Sequence, residues 1–124
     1  MSAGVPTIDR TTVCRVDDIE LEGGVAALVA GRAVAVFRTF AGEVFALDNY
    51  DPFARASVLA RGIVGSLTCD GVNVDFVASP MHKQRFDLRT GACLDVPGVC
   101  IPTYDVTLAD GVVLVGRLDE GRGA

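Results

Sequence analysis

Two short loops, each built around a proline, hold the side chains of this sequence that are best suited to chemistry. The first reads Asp51-Pro52-Phe53 and the second reads Ser79-Pro80-Met81-His82. His82 is the only histidine, and an imidazole can serve as an acid–base group or as a metal ligand. Asp51 and nearby Asp48 suggest a carboxylate pair, but an aspartate before proline is commonly a turn former. We therefore predict no catalytic residue and interpret His82 as a polar loop residue.

The four cysteines are scattered along the chain at Cys14, Cys69, Cys93 and Cys100, and no Cys-x-x-Cys pair occurs. Metal ligands usually come in tighter pairs, and a reactive thiol needs a cationic or basic neighbour. We therefore predict free thiols that pack in the interior, and no metal site. A site formed by Cys93, Cys100 and His82 is the alternative that the spacing leaves open.

Size, composition and charge limit the classes of function. The chain has 124 residues, of which 50% are hydrophobic, and this predicts one folded domain. The net charge of −5 argues against binding to nucleic acid or to an anionic membrane, because both need clustered Lys and Arg. The sequence starts without the apolar stretch of a secretory signal, and no apolar run is long enough to span a bilayer. We expect a cytoplasmic protein.

Short strands separated by turn dipeptides account for most of the sequence. Asp70-Gly71 and Asp110-Gly111 are strong hairpin signals, and a third hairpin is predicted around Ala30-Gly31-Arg32. Only the range 54–60 suggests a helical turn, and the apolar run 112–115 suits the interior of a sheet. The pattern predicts an all-β antiparallel sandwich or barrel. We expect a single domain (11–117), preceded by an N-terminal segment (1–10) and followed by a flexible tail (118–124).

Together the two loops resemble the Rieske ferredoxin domain. In that family a Cys-Pro-His loop and a Cys-Pro-x-His loop hold a two-iron two-sulfur cluster through two thiolates and two imidazoles. On this frame the four ligand positions fall on Asp51, Phe53, Ser79 and His82, so three of the four ligands are replaced. A carboxylate, a phenyl ring and a serine hydroxyl are poor substitutes, because the cluster needs soft thiolate donors. The resemblance implies a Rieske-like β fold with a two-loop tip and no cluster.

Longer segments narrow the resemblance to the small subunits of NAD(P)H-dependent nitrite reductases. These segments are the ranges 45–53, 61–65 and 79–91, together with Cys93-Leu94-Asp95. Ordinary Rieske domains have glycine directly after the second histidine, where this chain has Lys83. Many of them also have fewer than the 25 residues, positions 54–78, that separate the two loops here. Both differences favour the nitrite reductase branch over a ferredoxin.

The resemblance implies a function that depends on a partner. In this family the large subunit carries FAD, siroheme and an iron–sulfur cluster, takes electrons from NADH or NADPH, and reduces nitrite to ammonium in nitrate assimilation. This sequence contains no glycine-rich nucleotide fingerprint and no cysteine set for a four-iron cluster. We therefore expect a cofactor-free small subunit that acts through contact with the large subunit.

Two hypotheses concern individual residues of the loops. We expect Phe53 to fill the space that a cluster would leave, packing as a plug with Pro52, Pro80 and Met81. We also expect the tip to dock onto the large subunit through a set of basic and polar residues, namely Arg55, Arg61, Lys83, Gln84 and Arg85. Solvated surface charge is the simpler interpretation of any single one of them.

Two other functions are compatible with parts of the sequence. One is a Rieske-type ferredoxin for an oxygenase, with a cluster held by substitute ligands such as Cys69, Cys93 and His82. The other is a free-standing interaction domain that no longer serves nitrite reduction. The ligand positions argue against the ferredoxin. A single sequence does not separate the interaction domain from a subunit.

Overall fold

Antiparallel β-strands make up most of the computed structural model, which describes residues 10–118. In chain order they are Thr11–Arg15 (β1), Gly23–Val29 (β2), Arg32–Arg38 (β3), Val44–Asp48 (β4), Tyr50–Asp51 (β5), Ala56–Ser57 (β6), Ile63–Cys69 (β7), Val72–Ala78 (β8), Arg85–Asp87 (β9), Thr103–Ala109 (β10) and Val112–Leu118 (β11). They form a six-stranded sheet (β1-β11-β10-β4-β3-β2), a three-stranded sheet (β7-β8-β9) and the pair β5-β6. The predicted all-β antiparallel class is confirmed. Of the predicted N-terminal segment (1–10) and tail (118–124), only Arg10 and Leu118 lie within the described residues.

Two 3-10 helices, Val16–Asp18 and Leu59–Arg61, are the helical elements of the described chain. Neither is long enough to cross a membrane. The helical turn predicted over residues 54–60 is wrong for most of that range, since β6 lies inside it. Asn49 explains the difference, because its carbonyl and its side-chain oxygen accept the amides of Leu59 (3.1 Å) and Ala60 (2.7 Å). These donors are therefore not available for an α-helical ladder.

Three hairpins share one type of two-residue turn. The turns are Ala30-Gly31, Asp70-Gly71 and Asp110-Gly111, and all six residues have positive φ, between 51° and 82°. Two successive residues of positive φ define a type I′ turn, whose twist matches that of the flanking strands. All three predicted hairpins therefore form. Arg32 belongs to β3, where it pairs with Val29.

Strand β3, which lies between β4 and β2, separates two hydrophobic clusters. Val34 and Val36 belong to one cluster, which lies against β10 and β11, and both are fully buried. Ala35 and Phe37 belong to the other cluster, which includes residues of the three-stranded sheet, and both are fully buried as well. β3 is thus covered on both faces, which accounts for its continuous apolar sequence. The second cluster, here called the loop-side core, is the one that supports the loops.

Candidate functional site

The two loops singled out by the sequence have the same backbone construction. The first joins β5 to β6, and the amide of Arg55 donates a hydrogen bond to the carbonyl of Asp51 at 2.7 Å. The second joins β8 to β9, and the amide of Lys83 donates to the carbonyl of Ser79 at 3.1 Å. Both donor residues have positive φ, 56° for Arg55 and 66° for Lys83. Each loop is therefore a closed turn that begins at Asp51 or at Ser79.

Asp51 and Ser79 join the two loops through their side chains, and we call this pair the loop clasp. The Ser79 hydroxyl donates a hydrogen bond to Oδ2 of Asp51. The other carboxylate oxygen, Oδ1, accepts hydrogen bonds from the amides of Phe53 (2.9 Å) and Ala54 (3.3 Å). Asp51 is 0% exposed and Ser79 is 2% exposed. A buried carboxylate is stable only when donors surround it, and these three donors supply that stabilisation.

A two-iron two-sulfur cluster does not fit the residues at its four expected positions. The side chains of Asp51 and Ser79 are hydrogen-bonded directly to each other, which leaves no space between them for an iron atom. Phe53 offers no lone pair, and His82 is exposed on the surface of its loop. One imidazole with two oxygen side chains is also a poor donor set for a cluster that prefers thiolates. The loops are held together by hydrogen bonds at the place where a Rieske protein has metal coordination.

Asp48 and Asp51 have different partners and do not form a carboxylate pair. The Tyr104 hydroxyl donates a hydrogen bond to Oδ1 of Asp48 at 2.9 Å and accepts one from Nε of Arg32 at 2.8 Å. The pKa of Tyr104 is raised, and burial of its hydroxyl is the main cause. Asp48 thus joins β4 to β10 and β3, while Asp51 joins the two loops. These contacts give both carboxylates a structural role.

Phe53 is half-buried and packs against the loop-side core. Its ring centroid lies 6.1 Å from that of the fully buried Phe86, and the two ring planes are tilted by 41°. Pro52 is half-buried, whereas Pro80 is exposed and Met81 is 57% exposed. The predicted plug is therefore wrong for Pro80 and Met81, and the packing contact that the structure shows is that of Phe53. Pro80 and Met81 lie on the surface because the second loop closes on itself and leaves both side chains outside.

His82 and the cysteines do not form a metal site among the described residues. His82 is exposed, and no described residue forms a hydrogen bond with its imidazole. Cys93 is buried in the loop-side core, whereas Cys100 is exposed. Cys14 is half-buried, and burial raises the pKa of its thiol, which lowers its reactivity. Within residues 10–118, no three His, Cys, Asp or Glu side chains lie close enough together to hold a metal ion.

The substitute ligands considered for a ferredoxin are widely separated. Ile63, at the start of β7, pairs with Ala78, which directly precedes the second loop. Cys69 ends β7 at the opposite end of this seven-residue strand, roughly 20 Å from the loops at ~3.3 Å per residue. The side chain of Cys69 lies outside the described part of the structure. Its backbone position alone is too far from His82 for both residues to bind one cluster.

The predicted set of docking residues is only partly available to a partner. Arg55, Arg61 and Lys83 are exposed. Arg85, in contrast, forms a bidentate ion pair with Asp95, with Nη2 to Oδ1 at 2.7 Å and Nε to Oδ2 at 3.2 Å. Hydrogen bonds from Arg85 hold the pKa of Asp95 below its usual value; the bond from the side chain has the larger effect and the bond from the amide the smaller. The charge of Arg85 is therefore neutralised within the chain.

The sequence predicted Gln84 as a docking residue but assigned no docking role to a third segment of the tip, around Leu94 and Asp95. Gln84 is half-buried, and its Oε1 is enclosed without a hydrogen-bond donor from the described residues. Leu94 and Asp95 lie beside the second loop, because the amide of Leu94 donates to the carbonyl of Arg85 at 2.7 Å. Pro97-Gly98 was the available signal for this segment, since it marks a turn shortly after the second loop.

Comparisons with known proteins place this geometry in a family. The model of the Rieske-like [2Fe-2S] domain matches residues 10–116. The chain is 42% identical over 102 residues to the nitrite reductase (NADH) small subunit of Salmonella typhimurium, covering 82% of this chain and 91% of that protein. A structure from Mycobacterium tuberculosis, assigned as an NADH-dependent nitrite reductase small subunit, superimposes with a TM-score of 0.79 at 41% identity. That similarity covers 87% of this chain and 94% of that one.

A further relative shows the same domain inside a longer polypeptide. The nitrite reductase [NAD(P)H] large subunit of Klebsiella oxytoca is 35% identical over 113 residues. This match covers 91% of the present chain but only 11% of the Klebsiella oxytoca protein. In that relative, a domain similar to almost the whole of this chain is therefore covalently attached to a much larger protein.

Replacing Ser79 with alanine should destabilise the fold, because Asp51 then lacks the only donor that reaches it from the second loop. We expect the free energy of unfolding, measured by urea denaturation, to fall by about 2 kcal/mol, within the range for a buried acceptor that loses its partner. Ser57→Ala is the matched control, since Ser57 is exposed in β6, and should change stability by less than about 0.5 kcal/mol. Equal effects of the two substitutions would contradict a stabilising clasp.

Replacing Phe53 with alanine should remove packing from the loop-side core. We expect a loss of about 3 kcal/mol in the free energy of unfolding, because truncation of a packed phenylalanine usually costs that much. Met81→Ala in the other loop is the control and should cost far less, since Met81 is 57% exposed. A near-zero change for Phe53→Ala in thermal or chemical denaturation would mean that the ring does not fill the space between the loops.

Proposed function

This chain belongs to the Rieske-like family as a nitrite reductase small subunit, and from that premise we propose how it acts. It binds the large subunit of a cytoplasmic NAD(P)H-dependent nitrite reductase, which reduces nitrite to ammonium for nitrate assimilation. The FAD, the siroheme, the iron–sulfur cluster and the nicotinamide all lie on the large subunit. The small subunit contributes surface contacts and no redox group.

The observation that carries this proposal is the match over almost the full length of a named small subunit. It covers 91% of the Salmonella typhimurium protein at 42% identity. The family match over residues 10–116 includes both loops and all the strands that hold them. The likeness therefore extends beyond a shared β fold, which alone would say little about function.

The Klebsiella oxytoca relative supports direct contact between the two subunits. Fusion to a large subunit keeps a domain close to its partner surface at a high effective concentration. A domain that had no contact with the large subunit would gain nothing from this attachment. The matching region is 113 residues long, as for one copy of the domain, so we infer one small subunit for each large subunit.

The loop clasp supports the proposal that the small subunit is free of cofactors. Asp51 and Ser79 use their polar atoms on each other and on nearby amides, so neither is available as a metal ligand. Electron transfer through this chain would need a redox group, and the loops offer no donor set for one. The small subunit therefore acts on the reaction through its contact with the large subunit.

The tip is the surface that we propose to face the large subunit. Arg55, Arg61 and Lys83 are exposed at or near the two loops. Their positive charge stands out in a chain of net charge −5 and suits an acidic region on the partner. Gln84, with its enclosed and unpaired Oε1, lies next to Lys83. Arg85 contributes through its ion pair with Asp95, which fixes the third segment of the tip beside the second loop.

Binding of the purified chain to the purified large subunit tests the proposal directly. We expect a complex with a one-to-one mass by native mass spectrometry, together with an increase in NAD(P)H-dependent nitrite reduction over the large subunit alone. Charge reversal at Arg55 and Lys83 should weaken binding about tenfold, as for a moderately charged interface. Arg15→Glu, an exposed site in β1, is the control and should bind like the wild type. If no complex forms, the proposed function is wrong.

Protein purified without oxygen should be colourless and should contain far less than one iron atom per chain. The reason is that the loops present two oxygen side chains, a phenyl ring and a single imidazole at the positions of the cluster ligands. Visible absorption, iron content and acid-labile sulfide give the measurement, with a Rieske ferredoxin treated in parallel as the positive control. Stoichiometric iron and sulfide in this chain would restore the ferredoxin as the better interpretation.

A further inference from the structure

The hairpin of β7 and β8 carries apolar side chains on its outer face as well as in the core. Val64, Val77 and Phe86 occupy one cross-strand row and are buried in the loop-side core, so this face of the sheet points inward. Side chains alternate between the two faces of a strand. The outward positions of the two strands are therefore occupied by Ile63, Gly65, Leu67, Val72, Val74, Phe76 and Ala78. None of these seven residues is charged or polar.

The distal half of the hairpin departs from the usual pattern of a solvated sheet. The inward row here continues with Ser66, Thr68, Asn73 and Asp75. Three of them are exposed, and Asp75 pairs with Arg89. A solvent-exposed face of an antiparallel sheet is ordinarily polar, while the face toward the protein is apolar. In the distal half of this hairpin the polar row therefore also reaches solvent, and the outward row is apolar without being covered by the rest of the described chain.

Five of the outward side chains form a continuous surface, which we call the outer apolar face: Ile63, Leu67, Val72, Val74 and Phe76. Ile63 is 73% exposed and Val72 is 61% exposed, while the other three are half-buried. Leu67 pairs directly with Val74, so the two ends of the face are joined through this pair. Contiguous exposed apolar surface of this kind marks an interaction site more often than scattered single residues do.

Phe76 is held in a defined position at the centre of this face. It pairs with Gly65 on β7, and its Cζ atom lies 3.0 Å from the point where a Cβ of Gly65 would be. The ring therefore lies against the glycine backbone, where no other residue type would leave room. On the other side, the Arg85 guanidinium lies 5.7 Å from the ring centroid and is itself fixed by Asp95. A pre-positioned aromatic ring loses little conformational entropy when a partner covers it.

We propose that the outer apolar face is the hydrophobic centre of the interface with the nitrite reductase large subunit. This inference rests on the proposed function and adds the surface that carries the binding energy. The face is continuous with the tip, because Ile63 pairs with Ala78, the residue before Ser79, and Ala78 pairs with Arg85. Charged rims commonly surround an apolar interface centre, and the exposed Arg55, Arg61 and Lys83 suit the rim.

We assign the outer apolar face to the large subunit because a domain similar to this chain occurs within a large-subunit polypeptide. In the Klebsiella oxytoca relative the matching region is 11% of a large-subunit polypeptide, so the remainder of that chain is available to cover the face. The partner surface should itself be apolar, since no outward position of β7 or β8 in the described part of the hairpin offers a charge to pair with. A second copy of this chain is the competing occupant, and the experiment separates the two.

The test introduces a charge at each exposed end of the face, as Ile63→Glu and Val72→Glu. Both positions are largely exposed, so the variants should fold, and their melting temperatures check this. Leu28→Glu is the matched control, because Leu28 is 72% exposed but lies on β2 in the six-stranded sheet. With purified large subunit, calorimetry should show binding that is at least about tenfold weaker for each face variant and unchanged for the control.

The outcomes separate this inference from the function on which it rests. If the wild-type chain does not bind the large subunit, both the proposed function and this inference are wrong. If the wild type binds and the folded face variants bind equally well, the function stands and the outer apolar face is not the interface. Light scattering of the small subunit alone tests whether a second copy of the chain binds the face. A wild-type dimer that Ile63→Glu dissociates without any loss of large-subunit binding would assign the face to a second copy and overturn the inference.

Discussion

A buried carboxylate that needs hydrogen-bond donors is the constraint on which the tip of this protein depends. Asp51 has no exposed surface, and no arginine or lysine within residues 10–118 forms an ion pair with it. It is stabilised by two amides of its own loop and by the hydroxyl of Ser79 on the other loop. Because one donor lies across the gap, the carboxylate is fully satisfied only while the two loops are together. The clasp therefore connects the two loops by a hydrogen bond, whereas Rieske proteins connect them through metal ligands.

The rest of the tip is held by packing beneath the loops and by an ion pair beside them. Phe53 packs on Phe86 beneath the loops, and Arg85 is paired with Asp95 beside them. These contacts help to hold the loops in place, while the side chains at the four ligand positions are a poor donor set for a two-iron cluster. A retained scaffold with changed site residues is a familiar way for one fold to take a different role. What remains for a partner is shape, exposed charge at the loops and the outer apolar face of β7 and β8.

Local sequence signals predicted the strands and hairpins well, for a physical reason. Asp70-Gly71 and Asp110-Gly111 adopt positive φ at little cost, so each dipeptide is sufficient to define its turn. Apolar runs were less informative. The run 112–115 suggested a strand in the interior of a sheet, and β11 does lie between β1 and β10. Burial was not predicted, since only Val113 and Val115 are fully buried there, whereas β3 is covered on both faces. Which run lies at the centre depends on strand order, and this is a property of the whole chain.

The candidate site was predicted in its location but not in its contacts. The spacing of the two loops and their likeness to Rieske loops identified Asp51, Phe53, Ser79 and His82. The hydrogen bond between Asp51 and Ser79 joins residues 28 positions apart, and the pairing of Arg85 with Asp95 depends on a third segment. Neither contact leaves a periodic signal in the sequence. The outer apolar face was missed because a strand with alternating apolar residues looks the same whether its apolar side faces the core or a partner.

Amide hydrogen exchange of the isolated, iron-free chain, measured residue by residue by NMR, tests most directly whether the clasp holds the loops. The amides to follow are Phe53 and Arg55 in the first loop and Met81 and Lys83 in the second, all of which donate hydrogen bonds. The account predicts slow exchange in both loops, and faster exchange in both after Ser79→Ala, because the two loops open together. Rapid exchange in the wild type, or faster exchange in the second loop alone, would show that the loops are not coupled through Asp51 and Ser79.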